Sequence, residues 1–211
     1  MAIFLKHTEE NCRWGVWHTN ESVDELLALL PHREAYKADI TRFTSASRSV
    51  EWLAVRLLLH TLLGEEKTIC YQPNGRPYLA DHSSFISISH TRGYVAVILS
   101  PSAIVGIDIE QYSERVCKVA HKFIREDEVV FPYQESDTWA LLLHWSAKEV
   151  LFKCLDVAEV DFRKHLCVHP FHPQESGVFC AQEFRTVEQR TFEIHYLLRS
   201  EFVLTWSAEK V

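Results

Sequence analysis

Apolar side chains recur at helical spacing in two segments of the first hundred residues, and these segments predict two helices. The first segment, residues 22–30, begins with Ser22 and Glu25, which have the spacing of a capping box at the start of a helix. The second segment, residues 47–63, has a broader apolar face and is followed by Gly64, a residue type that commonly ends helices. Both helices are therefore expected to bury an apolar face.

Short runs rich in β-branched and aromatic residues predict strands in the rest of the chain. These runs are residues 68–71, 78–80, 85–89, 94–99 and 104–109, and then 178–183, 191–197 and 202–207 in the final third. The last three runs predict an antiparallel sheet. Pro101-Ser102 is the best candidate for a boundary, which divides the chain into two lobes, residues 1–102 and 103–211.

Two more helices are predicted in the second lobe. One covers residues 113–124 and carries basic side chains on one stripe, which a solvated helix face would explain without any function. The stripe consists of Arg115, Lys118, Lys122 and Arg125. The longer helix covers residues 137–155, where Glu149 and Lys153 stand four residues apart and could form a surface salt bridge.

Two carboxylates stand two residues apart at the end of the predicted strand 104–109. Side chains alternate along a strand, so Asp108 and Glu110 share one face while Ile107 and Ile109 share the other. Paired carboxylates repel each other unless a cation or a proton lies between them, and such oxygen ligands suit Mg²⁺. Two interpretations stay open at this point: a magnesium site, or a solvated acidic strand end.

Composition narrows the classes of function. The 211 residues are 47% hydrophobic and 24% charged, and the formal net charge of −7 argues against nucleic acid as the main partner. No apolar run approaches the roughly 18 residues that cross a bilayer, and the first ten residues lack the apolar segment of a signal peptide. The six cysteines contain no CxxC pair and are expected to be reduced thiols. We therefore expect a cytoplasmic protein with neither membrane nor nucleic acid among its partners.

Four motifs occur in a fixed order along the chain. They are Gly-Arg-Pro-Tyr at 75–78, Phe-Ile-Ser-Ile-Ser-His-Thr at 85–91, Gly-Ile-Asp-Ile-Glu at 106–110 and Trp-Ser-Ala-Lys-Glu-Val-Leu-Phe-Lys at 145–153. Each motif alone is a weak signal. Together they resemble the ordered signature motifs of the Sfp-type 4′-phosphopantetheinyl transferases, which belong to the holo-[acyl-carrier-protein] synthase superfamily.

The resemblance implies a fold and a reaction. The fold is α+β, with two similar α/β lobes that form an intramolecular pseudo-dimer and hold coenzyme A and Mg²⁺ between them. The reaction transfers the 4′-phosphopantetheine group of coenzyme A to a serine of an apo acyl carrier protein or peptidyl carrier protein, and releases adenosine 3′,5′-bisphosphate. In this interpretation, residues 1–102 bind the nucleotide and 3′-phosphate side, while residues 103–211 hold the metal and dock the carrier.

The resemblance also implies roles for individual residues. The metal ligands would be Asp108, Glu110 and Glu149, and the catalytic residues would be Glu149, Lys153 and Asp108. The residues that contact coenzyme A would be Arg48, Arg76, Ser89, His90 and Lys153. The attacking serine must lose a proton, and either Glu149 or a metal-bound water would accept it.

Two alternatives to this function stay open. One is another Mg²⁺-dependent enzyme acting on diphosphates, such as a nucleotide hydrolase. The other is a non-catalytic protein that binds a carrier protein or coenzyme A. A pseudo-dimer has less need to self-associate, so a monomer is expected, and the basic stripe is the expected docking surface for an acidic carrier.

Overall fold

The computed structural model describes residues 3–155 and 157–210, which fold as mixed α+β with two compact units, Met1–Ser102 and Ala103–Val211. The mixed α+β class predicted from the sequence is confirmed, while the pseudo-dimeric relation of the two lobes stays a prediction. In the described part of the chain, no helix is both long enough and apolar enough to cross a membrane.

The first unit combines an antiparallel sheet, a short hairpin and three helices. Its elements are β1 (Leu5–Thr8), β2 (Arg13–His18), α1 (Val23–Leu29), α2 (Arg33–Ile40), α3 (Ala46–Leu63), β3 (Ile69–Tyr71), β4 (Pro77–Leu79), β5 (Phe85–Thr91) and β6 (Tyr94–Ser100). The strand order of the sheet is β1-β2-β6-β5, and β3 pairs with β4. The core forms where α3 packs its buried leucines against β2 and β6, and α1 packs against α3.

The two helices predicted in this unit are confirmed. Ser22 caps α1, and Glu25 completes the capping box through the backbone N–H of Ser22. Gly64 ends α3 in the left-handed region, at a φ of 75°. The sequence patterns did not indicate β1, β2 or α2. Strand β2 is buried at four consecutive positions rather than at alternate ones, and α2 contains no buried residue.

The second unit consists of a five-stranded sheet and a long helix that packs against it. Its elements are β7 (Ala103–Gln111), α4 (Arg115–Val119), α5 (Thr138–Cys154), α6 (Phe162–His165), β8 (Leu166–Val168), β9 (Ser176–Glu183), β10 (Thr191–Leu198) and β11 (Phe202–Lys210). The strand order is β7-β11-β10-β9-β8, with every neighbouring pair antiparallel. The antiparallel sheet predicted for the final third is therefore confirmed.

The predicted helix over residues 113–124 was wrong in its extent. Helix α4 ends at Val119, whose φ of −111° and ψ of 0° are not α-helical, and a 3₁₀ turn over Ala120–Lys122 follows. Phe123 then turns into the core, where it is 1% exposed. The basic stripe is consequently shorter than predicted, because Arg125 lies beyond both helical turns and is bound to Asp127 and to the carbonyl of Lys164.

Close contact between β7 and α5 defines the inner face of the second unit. A Cβ added at Gly106 would lie 2.7 Å from the carbonyl oxygen of Val150 and 2.8 Å from Sγ of Cys154, both on α5. Only glycine allows the strand and the helix to approach so closely. Since side chains alternate along β7, Asp108 and Glu110 face α5 on the same side as Gly106.

Candidate active site

Asp108 lies at the centre of a polar cluster in the second unit. Asp108 is 3% exposed, and both of its carboxylate oxygens have hydrogen-bond partners. Oδ1 accepts a hydrogen bond from Nζ of Lys153 at 2.8 Å, and Oδ2 accepts one from Oγ of Ser146 at 2.7 Å. Both partners come from α5, so the contact between β7 and α5 fixes this carboxylate.

Helix α5 supplies the other groups of the cluster from successive turns. The side chains of Trp145, Glu149 and Lys153 are four residues apart and therefore lie along one side of the helix. Nε1 of Trp145 donates to Oε1 of Glu110 at 2.7 Å, and Nζ of Lys153 also donates to the carbonyl of Ile107 at 2.9 Å. The structure thus brings together Asp108, Glu110, Glu149 and Lys153, four residues that the sequence motifs had singled out.

The cluster carries more negative than positive charge. Burial and the neighbouring charge of Asp108 raise the pKa of Glu149 to about 7, although Lys153 opposes the shift. The same two causes, in the same order, raise the pKa of Glu110 to about 7, against the hydrogen bond from Trp145. Three carboxylates whose charges interact, with one ammonium group among them, form a site that favours an added proton or a cation.

A buried ion pair also anchors α5 within the second unit. Nζ of Lys148 donates to Oε2 of Glu128 at 2.7 Å and to the carbonyl oxygens of Phe123 and Phe162, at 2.5 and 3.3 Å. Oε1 of Glu128 in turn accepts a hydrogen bond from the backbone N–H of Val168. Because both charged groups are buried, loss of either partner would leave an unpaired charge in the core.

The carboxylates of this cluster have the right chemistry for a hard divalent cation. Mg²⁺ usually takes one or two protein carboxylates and leaves its other positions to water and phosphate, so it does not require a complete protein cage. Across residues 3–155 and 157–210, no three His, Cys, Asp or Glu side chains are grouped so as to form such a cage. The donor types and the excess negative charge fit Mg²⁺. One of the carboxylate oxygens, Oδ1 of Asp108, is already bound to Nζ of Lys153.

The first unit contains a cavity of about 210 Å³ whose walls are mainly aromatic and basic, with one carboxylate, Glu51, that is paired with Arg48. Its lining includes Phe43, Arg48, Trp52, Arg56, Tyr71 and His90. The guanidinium carbon of Arg56 lies 3.3 Å from the centre of the Trp52 ring, and Nη1 donates to the carbonyl of Trp52. Arg56 is only 8% exposed, so this cation is held rigidly at the wall. Its position in the cavity was not assigned from the sequence, where it was one of several helix arginines.

The other residues predicted to contact coenzyme A are not all brought together in the structure. Nη1 of Arg48 lies 2.8 Å from Nε2 of His90, and because a guanidinium only donates, His90 accepts through that nitrogen. Arg76 lies in the β3–β4 turn, between two residues that line the cavity, Gly75 and Pro77. Ser89 is 7% exposed and lies on the opposite face of β5 from His90, so the two side chains are not brought together.

Comparison with known proteins finds a similarity within the second unit. The family model of the 4′-phosphopantetheinyl transferase superfamily matches residues 104–207, which run from β7 to β11. The match covers 104 of the 211 residues and lies entirely within the second unit. No significant match to a curated protein was found. The family match supports a phosphopantetheinyl transferase, and it does not distinguish the Sfp type from the holo-acyl-carrier-protein synthase type.

The superfamily match contains the whole cluster around Asp108, including residues to which the motifs gave no role. Trp145 and Ser146 stood within a motif but were not assigned. Thr205 had no local signal at all, since it lies on β11, far along the chain. Only the pairing of β11 with β7, which sets Thr205 opposite Asp108, reveals that it belongs to this cluster.

Proposed function

We propose that this protein transfers the 4′-phosphopantetheine group of coenzyme A to a serine hydroxyl of an apo acyl or peptidyl carrier protein, with Mg²⁺, and releases adenosine 3′,5′-bisphosphate. The observation that carries the proposal is the cluster of Asp108, Glu110, Glu149 and Lys153 within the unit that matches the transferase superfamily. Transfer of a phosphoryl-type group depends mainly on positioning and on neutralising charge, and this cluster provides groups for both.

Mg²⁺ would be held by carboxylates from the set Asp108, Glu110 and Glu149, one or two at a time, with water and phosphate oxygens in its other positions. When bound, the ion would neutralise charge on the diphosphate of coenzyme A and on the leaving bisphosphate. Lys153 would act beside it on the same phosphate oxygens. An ammonium group has three N–H donors, and Lys153 uses two of them on Ile107 and Asp108, which leaves one for a phosphate oxygen.

Glu149 is the proposed general base that takes the proton of the attacking serine. A base works best when its pKa lies near the working pH, and burial together with Asp108 raises the pKa of Glu149 to about 7. That pKa is the one without metal; bound Mg²⁺ would lower it, so Glu149 would be ionised and able to accept the proton of the serine.

The cavity of the first unit is proposed to bind the nucleotide end of coenzyme A. The aromatic ring of Tyr71 offers a face for the base, and Arg48 and Arg56 offer donors for phosphate groups. Arg56 is thereby added to the residues expected from the motifs. Arg76, Ser89 and the assignment of residues 1–102 to nucleotide binding stay predictions, as do the cytoplasmic location and the monomeric state.

The test incubates the protein with coenzyme A, Mg²⁺ and a panel of apo-carrier proteins, and measures the intact mass of each carrier. We expect one or more carriers to gain the mass of phosphopantetheine, and EDTA to abolish the gain. Glu149→Gln should slow transfer by about 10²- to 10⁴-fold, the usual range for loss of a general base. The matched control is Glu126→Gln, which alters an exposed carboxylate of the same unit and should retain activity.

Two results would contradict the proposal. Cleavage of the coenzyme A diphosphate without modification of any carrier would indicate a hydrolase. Binding of a carrier or of coenzyme A without either reaction would indicate a non-catalytic binding protein. Near-normal transfer by Glu149→Gln would exclude Glu149 as the base while leaving the reaction itself in place.

A further inference from the structure

Two buried hydroxyl groups form a chain that ends on Asp108. Oγ of Ser146 lies 2.7 Å from Oδ2 of Asp108 and 2.7 Å from Oγ1 of Thr205. Ser146 and Thr205 are both 0% exposed, so water does not compete for these hydrogen bonds. The three residues come from three elements, α5, β11 and β7, which all meet at this point.

The direction of the hydrogen bonds follows from counting protons. The carboxylate of Asp108 lies beside the ammonium group of Lys153 and only accepts, so Ser146 donates its one proton to Oδ2. Ser146 then has no proton left for Thr205, and in that contact Thr205 must be the donor. The chain therefore runs from Thr205 to Ser146 to Asp108, and each hydrogen bond polarises the next.

The strand register holds this chain in place. Thr205 of β11 is the direct antiparallel partner of Asp108 on β7, so their side chains leave the same face of the sheet, which is the face that α5 covers. Ser146 projects from α5 between them. Asp108 is thus held at Oδ2 by the hydroxyl chain and at Oδ1 by Lys153, and rotation of its carboxylate would break both contacts.

We propose that Thr205 is a positioning residue for the transfer reaction, acting through Ser146 to fix the orientation of the Asp108 carboxylate. The expected effect on kcat rests on the proposed function, whereas the expected effect on the orientation of Asp108 does not. Groups that orient a ligand or catalytic carboxylate commonly affect metal affinity or activity by about 10- to 100-fold when removed. Thr205 is fully buried and does not line the cavity of the first unit, so its effect should fall on kcat.

Two substitutions at the same position separate the hydroxyl from the shape of the side chain. Thr205→Val keeps the shape and removes the hydroxyl, whereas Thr205→Ser keeps the hydroxyl and removes a methyl group. The matched control is Ser207→Ala, which removes another fully buried hydroxyl of β11, one that donates to Glu209 instead. Thermal unfolding of all three variants establishes that they are folded before kinetics are compared.

The expected result is a kcat for Thr205→Val that is lower by about tenfold or more, with the KM for coenzyme A within about twofold of the original value. Thr205→Ser should lose less than Thr205→Val, and Ser207→Ala should be unaffected. A crystal structure of Thr205→Val should show the Asp108 carboxylate rotated away from its hydrogen bond with Ser146.

Three outcomes would overturn the inference: equal kcat values for Thr205→Val and Ser207→Ala, a larger loss for Thr205→Ser than for Thr205→Val, or an unrotated Asp108 in the valine variant. If the unaltered protein modified no carrier, the proposed function would fail. The orientation of Asp108 in the crystal structure would still decide whether Thr205 positions it.

Discussion

The two raised carboxyl pKa values make the stability of the second unit depend on pH. Glu149 and Glu110 ionise near pH 4.5 when exposed to water and near pH 7 in the folded protein. Between these values the folded state binds more protons than the unfolded state, so the free energy of unfolding falls as the pH rises. The folded protein should therefore lose stability as the pH rises from about 4.5 to about 7, when no divalent cation is present.

Glu149→Gln should remove part of this dependence, because glutamine does not ionise. In buffer with EDTA, we expect the variant to have a higher Tm than the original protein at pH 8, and a similar Tm at pH 5. Differential scanning calorimetry at intervals of half a pH unit measures the effect. Glu126→Gln serves as the control, since it replaces an exposed carboxylate of the same unit. If Tm changed with pH in the same way for the original protein and for Glu149→Gln, the prediction would be contradicted.

At the scale of elements, the contact between β7 and α5 depends on the absence of a side chain at Gly106. Gly106→Ala would place a methyl group against the backbone carbonyl of Val150, which cannot move without shifting α5. Overpacking of this kind typically costs about 1–3 kcal/mol, and it would also displace Glu149 relative to Asp108. We expect both a lower free energy of unfolding in urea and a lower rate of carrier modification.

Gly15→Ala is the informative comparison for this substitution. Its added methyl group would chiefly meet the side-chain ends of Ile3 and Leu58, at 2.9 Å, and such ends can rotate away. The loss of stability should therefore be smaller than for Gly106→Ala. An equal or smaller loss for Gly106→Ala would show that α5 tolerates displacement.

Local sequence signals predicted the helices whose first or last residue is of a type that commonly starts or ends a helix. The capping box at Ser22 and the terminal Gly64 marked two helices because both act within one helical turn. Strand β2 escaped prediction since four consecutive positions are buried, which removes the alternation on which strand prediction depends. Within the site, the motifs indicated Asp108 and Glu149, but the partnership of Thr205 depends on strand pairing across about a hundred residues, which no local pattern encodes.

At the scale of the whole molecule, the net charge of −7 opposes the approach of an acidic carrier protein. Docking then requires a local positive surface, and the exposed side chains of Lys118 and Lys122 remain the best candidates after Arg125 is excluded by its contacts with Asp127 and Lys164. We expect Lys118→Glu combined with Lys122→Glu to raise the KM for apo-carrier severalfold and to leave the KM for coenzyme A unchanged.

Steady-state transfer kinetics at low ionic strength measure both constants, because salt screens exposed charges. The control makes the same total change of charge elsewhere, with Arg185→Glu and Arg199→Glu on other exposed loops of the second unit. If both double variants raised the KM for carrier equally, net charge rather than a docking surface would be responsible. An unchanged KM for apo-carrier in the variant with Lys118→Glu and Lys122→Glu would show that these lysines do not form the docking surface.

The burial of Lys148 gives the protein an internal reporter for chemical labelling. Lys148 is enclosed by Glu128 and two backbone carbonyls and is 0% exposed, whereas the side chain of Lys153, five residues later, is 22% exposed. An amine-reactive reagent can reach Lys153 in the native protein but reaches Lys148 only after α5 separates from its surroundings. A single peptide that contains both lysines therefore records ligand protection at one amine and unfolding at the other.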